Sequence, residues 1–331
     1  MKLIIQIPCY NEEKTLKLCL NDLPRQIEGI DEIEILVVND GSTDRTGDIA
    51  RSLGVDHVIS FSTNRGLARA FMAGIEKSLE ERADIIVNTD ADNQYRGEDI
   101  VNLVTPILEG KADIVVGSRQ LDKISHFSWI KKMLNKYGSA LVRKLSRTNV
   151  ADTVSGFRAY SREAALRINI FSEFSYTLEN LLQLGNQKLR ILSVPVLVNP
   201  RLRESRLFHS NLQFVSSQFS TILRVYTTYK PLRVFTTLGI LTVLPGIAGM
   251  IRFLYYYFNG QGRGHVQSLI FSLAFLVLGF LLLIFGLIAD VIGNNRKLIE
   301  NALYRLRKLE LEFRKEKEKA IHPAKKTAKK N

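Results

Sequence analysis

The sequence predicts an α/β fold with a mainly parallel sheet, followed by two membrane-spanning helices. Short apolar runs alternate with helical patterns from residue 1 to about residue 200, which is typical of a parallel sheet covered on both faces. Polar residues stand where several of these runs end. Two much longer apolar stretches lie between residues 232 and 293, and each covers the ~20 residues that a bilayer requires.

Strands and helices are predicted in regular alternation. The strands are expected in the segments KLIIQIP, EIEILVVND, VDHVISF, DIIVNTD and ADIVVGSR. Helices are expected over residues 12–26 and 98–110 and in the segments STDRTGDIARSLG and RGLARAFMAGIEKSLEERA. Ligands of such sheets bind at the carboxyl ends of the strands. Pro8, Asp40, Asp90 and Arg119 fall at those ends, so the site is predicted there.

The charge pattern favours a membrane surface as the partner of this basic chain. The 331 residues contain 46 Lys and Arg against 33 Asp and Glu, for a formal net charge of +13. Basic residues crowd around the apolar stretches and in the final AKKTAKKN, where anionic lipid headgroups attract them. No nucleic-acid-binding motif is present, so no nucleic acid partner is expected. A G-x-G-x-x-G after the first strand and a P-loop are absent as well, which argues against a nicotinamide enzyme and a P-loop enzyme.

Two acids side by side at the end of a buried strand suggest a metal site. Asp90 and Asp92 follow the run DIIV, and Gln94 lies two residues further on. Carboxylate and amide oxygens suit a hard divalent cation such as Mg²⁺ or Mn²⁺. Asp40 is placed to accept a hydrogen bond from a base, and Arg119 is placed to meet a phosphate. A polar turn between a strand and a helix is the alternative explanation for the paired acids.

The motifs as a set resemble glycosyltransferase family 2, the inverting nucleotide-sugar enzymes of GT-A fold. The resemblance rests on the segments IPCYNEE, VVNDGSTD, NRGLARA, NTDADNQY, GSR and DTVSGFRAY, in that order over roughly residues 1–205. Within the family, the chain looks most like the polyprenyl-phosphate sugar synthases, the group of dolichol-phosphate mannose synthase and the bacterial carrier-lipid glucosyltransferases. DTVSGFR, NPRLRESRLF and the two C-terminal spans indicate this group. The Gln-x-x-Arg-Trp signature of the processive synthases is absent.

The resemblance implies a role for each site residue. The nucleoside pocket would be lined by Pro8, Tyr10, Glu12 and Asp40. Mg²⁺ or Mn²⁺ and the diphosphate would be held by Asp90, Asp92 and Gln94, and phosphates would be faced by Arg119 and Arg158. The loop over the donor and the lipid phosphate would contain Arg201, Ser205 and Arg206. This loop departs from the usual Gly-x-Ser-Lys, because Arg203 replaces the glycine and Arg206 the lysine.

The implied reaction is inverting transfer of a hexose from a nucleotide-diphosphate sugar of the UDP-glucose or GDP-mannose type to undecaprenyl or dolichyl phosphate. Two alternatives remain open at this point. A membrane glycosyltransferase acting on a lipid hydroxyl would need a general base, for which Asp152 is the best candidate. Asp152 is otherwise expected to orient the sugar or an arginine, or to cap the turn before SGFR. The second alternative is a non-catalytic membrane scaffold.

Four regions are predicted along the chain. They are a catalytic domain over residues 1–206, an interfacial amphipathic segment over 207–230, two transmembrane helices over 231–293, and a basic cytoplasmic helix and tail over 294–331. Arg263 is the one Lys or Arg in the linker 259–266, whereas both outer flanks are rich in them. The positive-inside rule therefore predicts a multi-pass protein of the cell membrane with its catalytic domain and C-terminus in the cytoplasm.

Apolar residues recur at helical spacing after the second span. They are Ile299, Leu303, Leu306, Leu309 and Phe313, set among charges. The pattern leaves three environments open for this helix. It can pack on a partner subunit, as in a homo-oligomer formed through the membrane and C-terminal helices, it can pack on the catalytic domain, or it can stand in water.

Overall fold

The computed structural model describes residues 1–119, 140, 143, 146, 148–170, 176–200, 223–224, 226–227 and 229–321. The chain forms two compact units. The first comprises Met1–Thr221 together with Asn301–Asn331, and the second comprises Ile222–Glu300. Most of the predicted interfacial segment 207–230 and the end of the basic tail lie outside the described residues.

The first unit is built on a seven-stranded sheet. Its strands are β1 (Lys2–Cys9), β2 (Glu32–Asn39), β3 (His57–Ser60), β4 (Ile85–Asn88), β5 (Ile114–Arg119), β6 (Arg158–Ser161) and β7 (Ile191–Val196). They lie in the order β3-β2-β1-β4-β6-β5-β7. Every pair of neighbours is parallel except those that include β6, which runs antiparallel to β4 and β5. The predicted mainly parallel α/β sheet is therefore confirmed.

Helices cover both faces of this sheet. They are α1 (Leu16–Asp22), α2 (Thr46–Ser52), α3 (Leu67–Glu80), α4 (Ile100–Leu108), α5 (Arg162–Arg167) and α6 (Tyr176–Asn186). Alternation along β1 divides the core: Leu3 and Ile5 pack with residues of α1 and α4, whereas Ile4 packs with residues of α3, α5 and α6. Burial of β1 on both faces explains why the strand reads as a continuous apolar run.

Two strands were not predicted, and both lie on the far side of β4. β6 is only four residues long and begins with a charged residue, Arg158, so it lacks an apolar run. Five of the six residues of β7 are partly buried or exposed, because it is the edge strand beside β5. The five predicted strands form, with ends within three residues of those expected.

The second unit contains a helical hairpin. Its helices are α7 (Pro231–Phe258) and the first part of α8 (Val266–Ile321), joined through a short 3₁₀ turn at Gly262–His265. Both helices are long and apolar enough to cross a membrane, and most of their apolar surface is exposed, unlike the core helix of a soluble protein. Small residues bring the helices close, since a Cβ at Gly239 would lie 3.1 Å from the carbonyl oxygen of Gly279.

α8 runs without interruption through residue 293, where the sequence suggested a boundary. Its segment from Asn301 belongs to the same compact unit as the sheet. Tyr304 and Leu311 pack against the core cluster under α3 and α5. Arg307 donates to the carbonyl oxygen of Ile168 at 2.6 Å, and Arg314 forms an ion pair with Glu80 at 3.1 Å. One face of this segment therefore packs on the rest of the first unit, where the catalytic domain is predicted, which is one of the three environments considered.

Candidate functional site

The paired acids lie in the tight turn that follows β4. Asp92 is held inside this turn, because its carboxylate accepts hydrogen bonds from the backbone N–H and the side-chain amide of Gln94, at 3.1 and 2.6 Å. Asn93 between them has a φ of 56°, which asparagine tolerates better than most residues. Asp90 and Asp92 are both half-buried and reach the surface at the carboxyl end of the sheet.

This donor set fits a metal that is shared with a substrate. Within the described residues no group of three or more acidic, histidine or cysteine side chains is gathered as a metal cage. Mg²⁺ does not require one, because it is commonly held by one or two carboxylates, waters and the phosphates of the substrate. The oxygen donors of Asp90 and Asp92 match that coordination. Gln94 uses its side-chain NH₂ on Asp92, so its predicted role as an oxygen ligand stays a prediction.

Asp90 has neighbours that the sequence did not reveal. A Cβ placed on Gly156 would lie 3.2 Å from Oδ1 of Asp90 and 2.8 Å from the Tyr176 hydroxyl, so the glycine lets these groups approach. Asn88 donates to the carbonyl oxygen of Gly156 at 2.8 Å and lies 3.4 Å from the Tyr176 hydroxyl. Gln6 in turn donates to Asn88 at 2.9 Å.

This polar chain, Gln6–Asn88–Gly156–Tyr176, is buried and leads from the centre of the sheet to the acidic turn. Burial and the charge of Asp90 raise the pKa of Tyr176 well above its ordinary value, so the phenol stays protonated and able to donate. The sequence signal that could have identified this chain is a polar residue within or at the end of an apolar strand, Gln6 in β1 and Asn88 at the end of β4.

Arg119 and Asp152 form a bidentate ion pair. Nε of Arg119 donates to one carboxylate oxygen at 2.7 Å, and Nη2 donates to the other at 3.2 Å. Asp152 is buried, whereas Arg119 retains some exposure at the end of β5. Oδ1 of Asp152 also accepts the backbone N–H of Val154 at 3.3 Å. Among the roles considered for Asp152, this geometry therefore supports both orientation of an arginine and capping of the turn before SGFR. The charge of Asp90 also acts on Arg119, so the pair and the acidic turn share one region.

Arg158 has a different role from the one predicted. It is fully buried, and its guanidinium donates to the carbonyl oxygens of Ser155, Thr177 and Thr153 at 2.8 to 3.0 Å. Its N–H groups therefore fasten the DTVSGFR turn to the start of α6 and do not face a phosphate. The sequence pattern did not reveal this, because arginine side chains are mostly exposed and are almost never fully buried unless they are paired.

Asp40 follows β2 directly and holds the backbone just before α3. Its two carboxylate oxygens accept the backbone N–H groups of Arg65 and Gly66, at 2.7 and 2.9 Å. Burial raises the pKa of Asp40, and these two hydrogen bonds oppose the shift. Gly41 has a φ of 68°, and a side chain there would overlap the backbone of Thr63. Each oxygen of Asp40 retains a lone pair, and base recognition by this residue stays a prediction.

The remaining nucleoside residues lie at the end of β1. Pro8 is buried in the strand, and Tyr10 is exposed at its end. Glu12 is buried and accepts a hydrogen bond from the Thr15 hydroxyl at 2.7 Å. The structure brings Tyr10 and Glu12 to the same sheet edge as Asp40. Their contacts with a nucleoside stay predictions.

The predicted loop residues Arg201, Ser205 and Arg206 lie outside the described residues. The chain just before them is anchored on the acidic turn. The backbone N–H of Asn199 donates to the carbonyl oxygen of Gln94 at 2.8 Å, and its side-chain amide donates to the carbonyl oxygen of Asn93 at 3.0 Å. Val198 also forms an isolated antiparallel bridge with Tyr95. Sequence reasoning missed this attachment.

The sheet and its covering helices have the GT-A fold. Glucosyl-3-phosphoglycerate synthase from Mycobacterium tuberculosis, crystallised with Mn²⁺, UDP and glucosyl-3-phosphoglycerate, superposes with a TM-score of 0.53. The match covers 69% of this chain and 79% of that protein, at 18% sequence identity. At this identity the likeness concerns the fold.

The chain belongs to glycosyltransferase family 2. The sequence model described as Glycosyl transferase family 2 matches residues 4–168. An undecaprenyl-phosphate mannosyltransferase from Micrococcus luteus is 30% identical over 218 residues, or 62% of this chain and 88% of that protein. An undecaprenyl-phosphate 4-deoxy-4-formamido-L-arabinose transferase from Proteus mirabilis is 26% identical over 312 residues, or 88% of this chain and 89% of the relative. The resemblance seen in the motifs is thereby confirmed.

Proposed function

We propose that this protein transfers a hexose, with inversion, from a nucleotide-diphosphate sugar to the phosphate of a polyprenyl carrier. The observation that carries the proposal is the Arg119–Asp152 pair at the carboxyl end of the sheet, close enough to Asp90 for its charge to act on Arg119. The hairpin of α7 and α8 suits a lipid acceptor. The names of the relatives support the acceptor class, and because their sugars differ, the donor sugar is left to experiment.

The main chemical requirement of this reaction is stabilisation of the negative charge that develops on the leaving diphosphate. A phosphate oxygen of the acceptor attacks the anomeric carbon while the bond from that carbon to the donor diphosphate breaks, and the nucleoside diphosphate leaves. Mg²⁺ or Mn²⁺ held by Asp90 and Asp92 would neutralise part of the diphosphate charge. Arg119 adds a permanent positive charge in the same region. Preorganised charges of this kind are usually the largest single contribution to catalysis.

The acceptor needs little help from a base. A phosphate monoester has its second pKa near about 6, so it is mostly dianionic at neutral pH. Because no base is required, the role of Asp152 is to position Arg119, from which both of its carboxylate oxygens accept hydrogen bonds. An alcohol acceptor would instead have to transfer its hydroxyl proton to a general base as it attacks.

The test is a panel assay with the full chain in membranes. Nucleotide sugars of the UDP-glucose and GDP-mannose types are each offered with polyprenyl phosphate and with a diacylglycerol as matched acceptors, with and without chelator. We expect a lipid-linked sugar phosphate with one donor, lost on chelation and restored by Mg²⁺ or Mn²⁺. Glycosylation of the alcohol alone would replace this proposal with the lipid-hydroxyl alternative. Absence of transfer and of metal-dependent donor hydrolysis would favour the scaffold.

Asp92→Asn serves as the inactive reference. Loss of one ligand charge weakens the metal and exposes the diphosphate charge, and we expect transfer to fall by about 100-fold or more, a loss of several kcal/mol. Glu98→Gln is the matched control, because Glu98 is an exposed acid a few residues away. A near-normal rate with normal metal dependence in Asp92→Asn would show that the metal site is assigned wrongly.

A further inference from the structure

The segment of α8 that follows Asn301 has two different faces. One face packs on the sheet-containing part of the first unit, called the catalytic unit from here on, through Tyr304, Arg307 and Leu311. The opposite face carries Ala302, Leu306, Leu309 and Phe313, and no residue in the described part of the chain covers it. Leu306, Leu309 and Phe313 are 61%, 49% and 67% exposed. Three large apolar side chains along one face of a charged helix are unfavourable in water, so such a face is commonly covered by a partner.

We propose that this exposed stripe, Ala302, Leu306, Leu309 and Phe313, is the seam of a parallel two-stranded coiled coil with α8 of a second copy of this chain. The steps between its residues are four, three and four, the alternation of a heptad with apolar a and d positions. Leu306 and Phe313 then occupy a positions, and Ala302 and Leu309 occupy d positions. The face bound to the catalytic unit lies opposite the seam and stays available for its own contacts.

Charges beside the seam complement those of a second copy. Arg305 and Glu312 stand at g positions on one side, and Glu310 and Lys317 stand at e positions on the other; the structure exposes each of these side chains. In a parallel coiled coil, a g residue meets the partner's e residue five positions further on. Arg305 therefore faces the partner's Glu310, and Glu312 faces the partner's Lys317. Both pairs are opposite in charge.

The same charges argue against a lipid surface as the occupant. Helices that lie on anionic membranes carry mainly Lys and Arg beside their apolar face. Here the acids Glu310 and Glu312 flank the stripe on its two sides. Parallel orientation follows from α8 itself, because the same helix contains the apolar span and two copies in one bilayer point the same way. Confinement in the bilayer also raises the effective concentration that a short coiled coil needs.

Disulfide cross-linking in membranes tests the seam. Cys9 and Cys19 are buried, so an added cysteine is the one accessible thiol among the described residues. Leu309→Cys places a thiol at a d position, and Lys308→Cys is the matched control one residue away on the solvent side. With the full chain and mild oxidation, we expect Leu309→Cys to form a linked dimer and Lys308→Cys to stay monomeric. A second comparison reverses one charge pair: Glu312→Lys should cause loss of the linked product from Leu309→Cys, and Glu312→Lys with Lys317→Glu should restore it.

Three results would overturn the proposal. One is a monomeric Leu309→Cys that a water-soluble maleimide labels freely, which means that the stripe is solvated. Another is a monomeric Leu309→Cys protected from the maleimide, which means that lipid or another protein covers the stripe. The third is equal cross-linking of Leu309→Cys and Lys308→Cys, which means collision without a seam. Since each variant lies away from the donor site, sugar transfer provides a check that the chain is folded.

Discussion

Gly156 controls how closely the turn before β6 approaches the acidic turn after β4. A methyl group there would meet the Tyr176 hydroxyl at 2.8 Å and the two carboxylate oxygens of Asp90 at 3.2 and 3.4 Å. Tyr176 cannot retreat easily, because its ring stacks on Phe71 with 4.6 Å between centroids. The displaced group would therefore be the carboxylate of Asp90.

We expect Gly156→Ala to weaken binding of Mn²⁺ and nucleoside diphosphate and to slow transfer by about 100-fold, as misplacement by ~1 Å can do. Calorimetric titration with Mn²⁺ and UDP or GDP, alongside the transfer assay, measures both effects. Gly264→Ala is the control, because an added Cβ there meets nothing within 4 Å. Unchanged affinities and rate in Gly156→Ala would contradict this account of Asp90.

Asp152 distinguishes the two acceptor chemistries through pH. With a lipid phosphate as acceptor, the logarithm of kcat/KM should rise near pH ~6 as the acceptor ionises. The rise should occur in the wild type and in Asp152→Asn alike, while Asp152→Asn loses rate because Arg119 is no longer held. With an alcohol acceptor, the rise should belong to the aspartate and vanish in Asp152→Asn, with a loss of roughly 10²–10⁴-fold.

The measurement is kcat/KM against pH for both proteins with matched phosphate and alcohol lipids, under conditions where chemistry limits the rate. If the alcohol alone reacts and the acidic limb disappears in Asp152→Asn, Asp152 is the general base and the carrier-lipid proposal fails.

The site residues whose position at the edge of the sheet was predicted from the sequence share one property. Asp40, Asp90 and Arg119 each end or follow a continuous apolar strand, and parallel strands bring such ends to one edge. Tyr176 lacked this signal, because its contact with Asn88 joins positions far apart in the chain. Arg158 was misjudged because hydrogen bonds to three backbone carbonyls, which a pattern cannot show, make its burial tolerable.

At the scale of the element, α8 differs most from the prediction. The sequence predicted a boundary after residue 293, whereas the structure has one continuous helix there. The apolar content falls after residue 293, which suggested an end, but Gly293 and Asn294 are tolerated inside a long helix. Apolar spacing identified Leu306, Leu309 and Phe313 as a stripe. It could not show that the catalytic unit binds the other, more polar face, since that contact relies on Arg307 and Tyr304.

Arg307 is expected to be the main polar attachment of this segment. Its guanidinium satisfies the carbonyl of the buried Ile168 at 2.6 Å and lies 3.4 Å from a carboxylate oxygen of Glu76. Arg307→Ala should destabilise the attachment by about 1–2 kcal/mol, because a hydrogen bond from a charged donor is lost and the carbonyl is left unpaired. Hydrogen exchange of the full chain should show faster exchange in α5 and in α8 after Asn301.

The neighbouring Lys308→Ala is the control, since Lys308 is exposed on the same turn. Equal exchange in Arg307→Ala and Lys308→Ala would mean that apolar packing alone holds this part of α8.

At the scale of the whole molecule, the charges on either side of the hairpin predict which side of the membrane each end of the chain occupies. Lys and Arg concentrate before α7 and along α8 after residue 295, while the linker between the apolar spans has Arg263 alone. Cytoplasmic loops carry such an excess. A cytoplasmic catalytic unit also agrees with the nucleotide-sugar donor proposed above, because both would have to meet in one compartment.

We therefore expect the hairpin tip, near Gly262, to lie outside the cell and residues 1–230 and 294–331 to lie inside. Gly264→Cys supplies an exposed thiol at the tip, and Lys17→Cys supplies one on the surface of α1. Both are made in a chain lacking Cys9 and Cys19. An impermeant maleimide should label Gly264→Cys in intact cells and label Lys17→Cys only after permeabilisation. The reverse pattern would invert the topology, and labelling of both only after permeabilisation would mean that the two helices do not carry the tip across the bilayer.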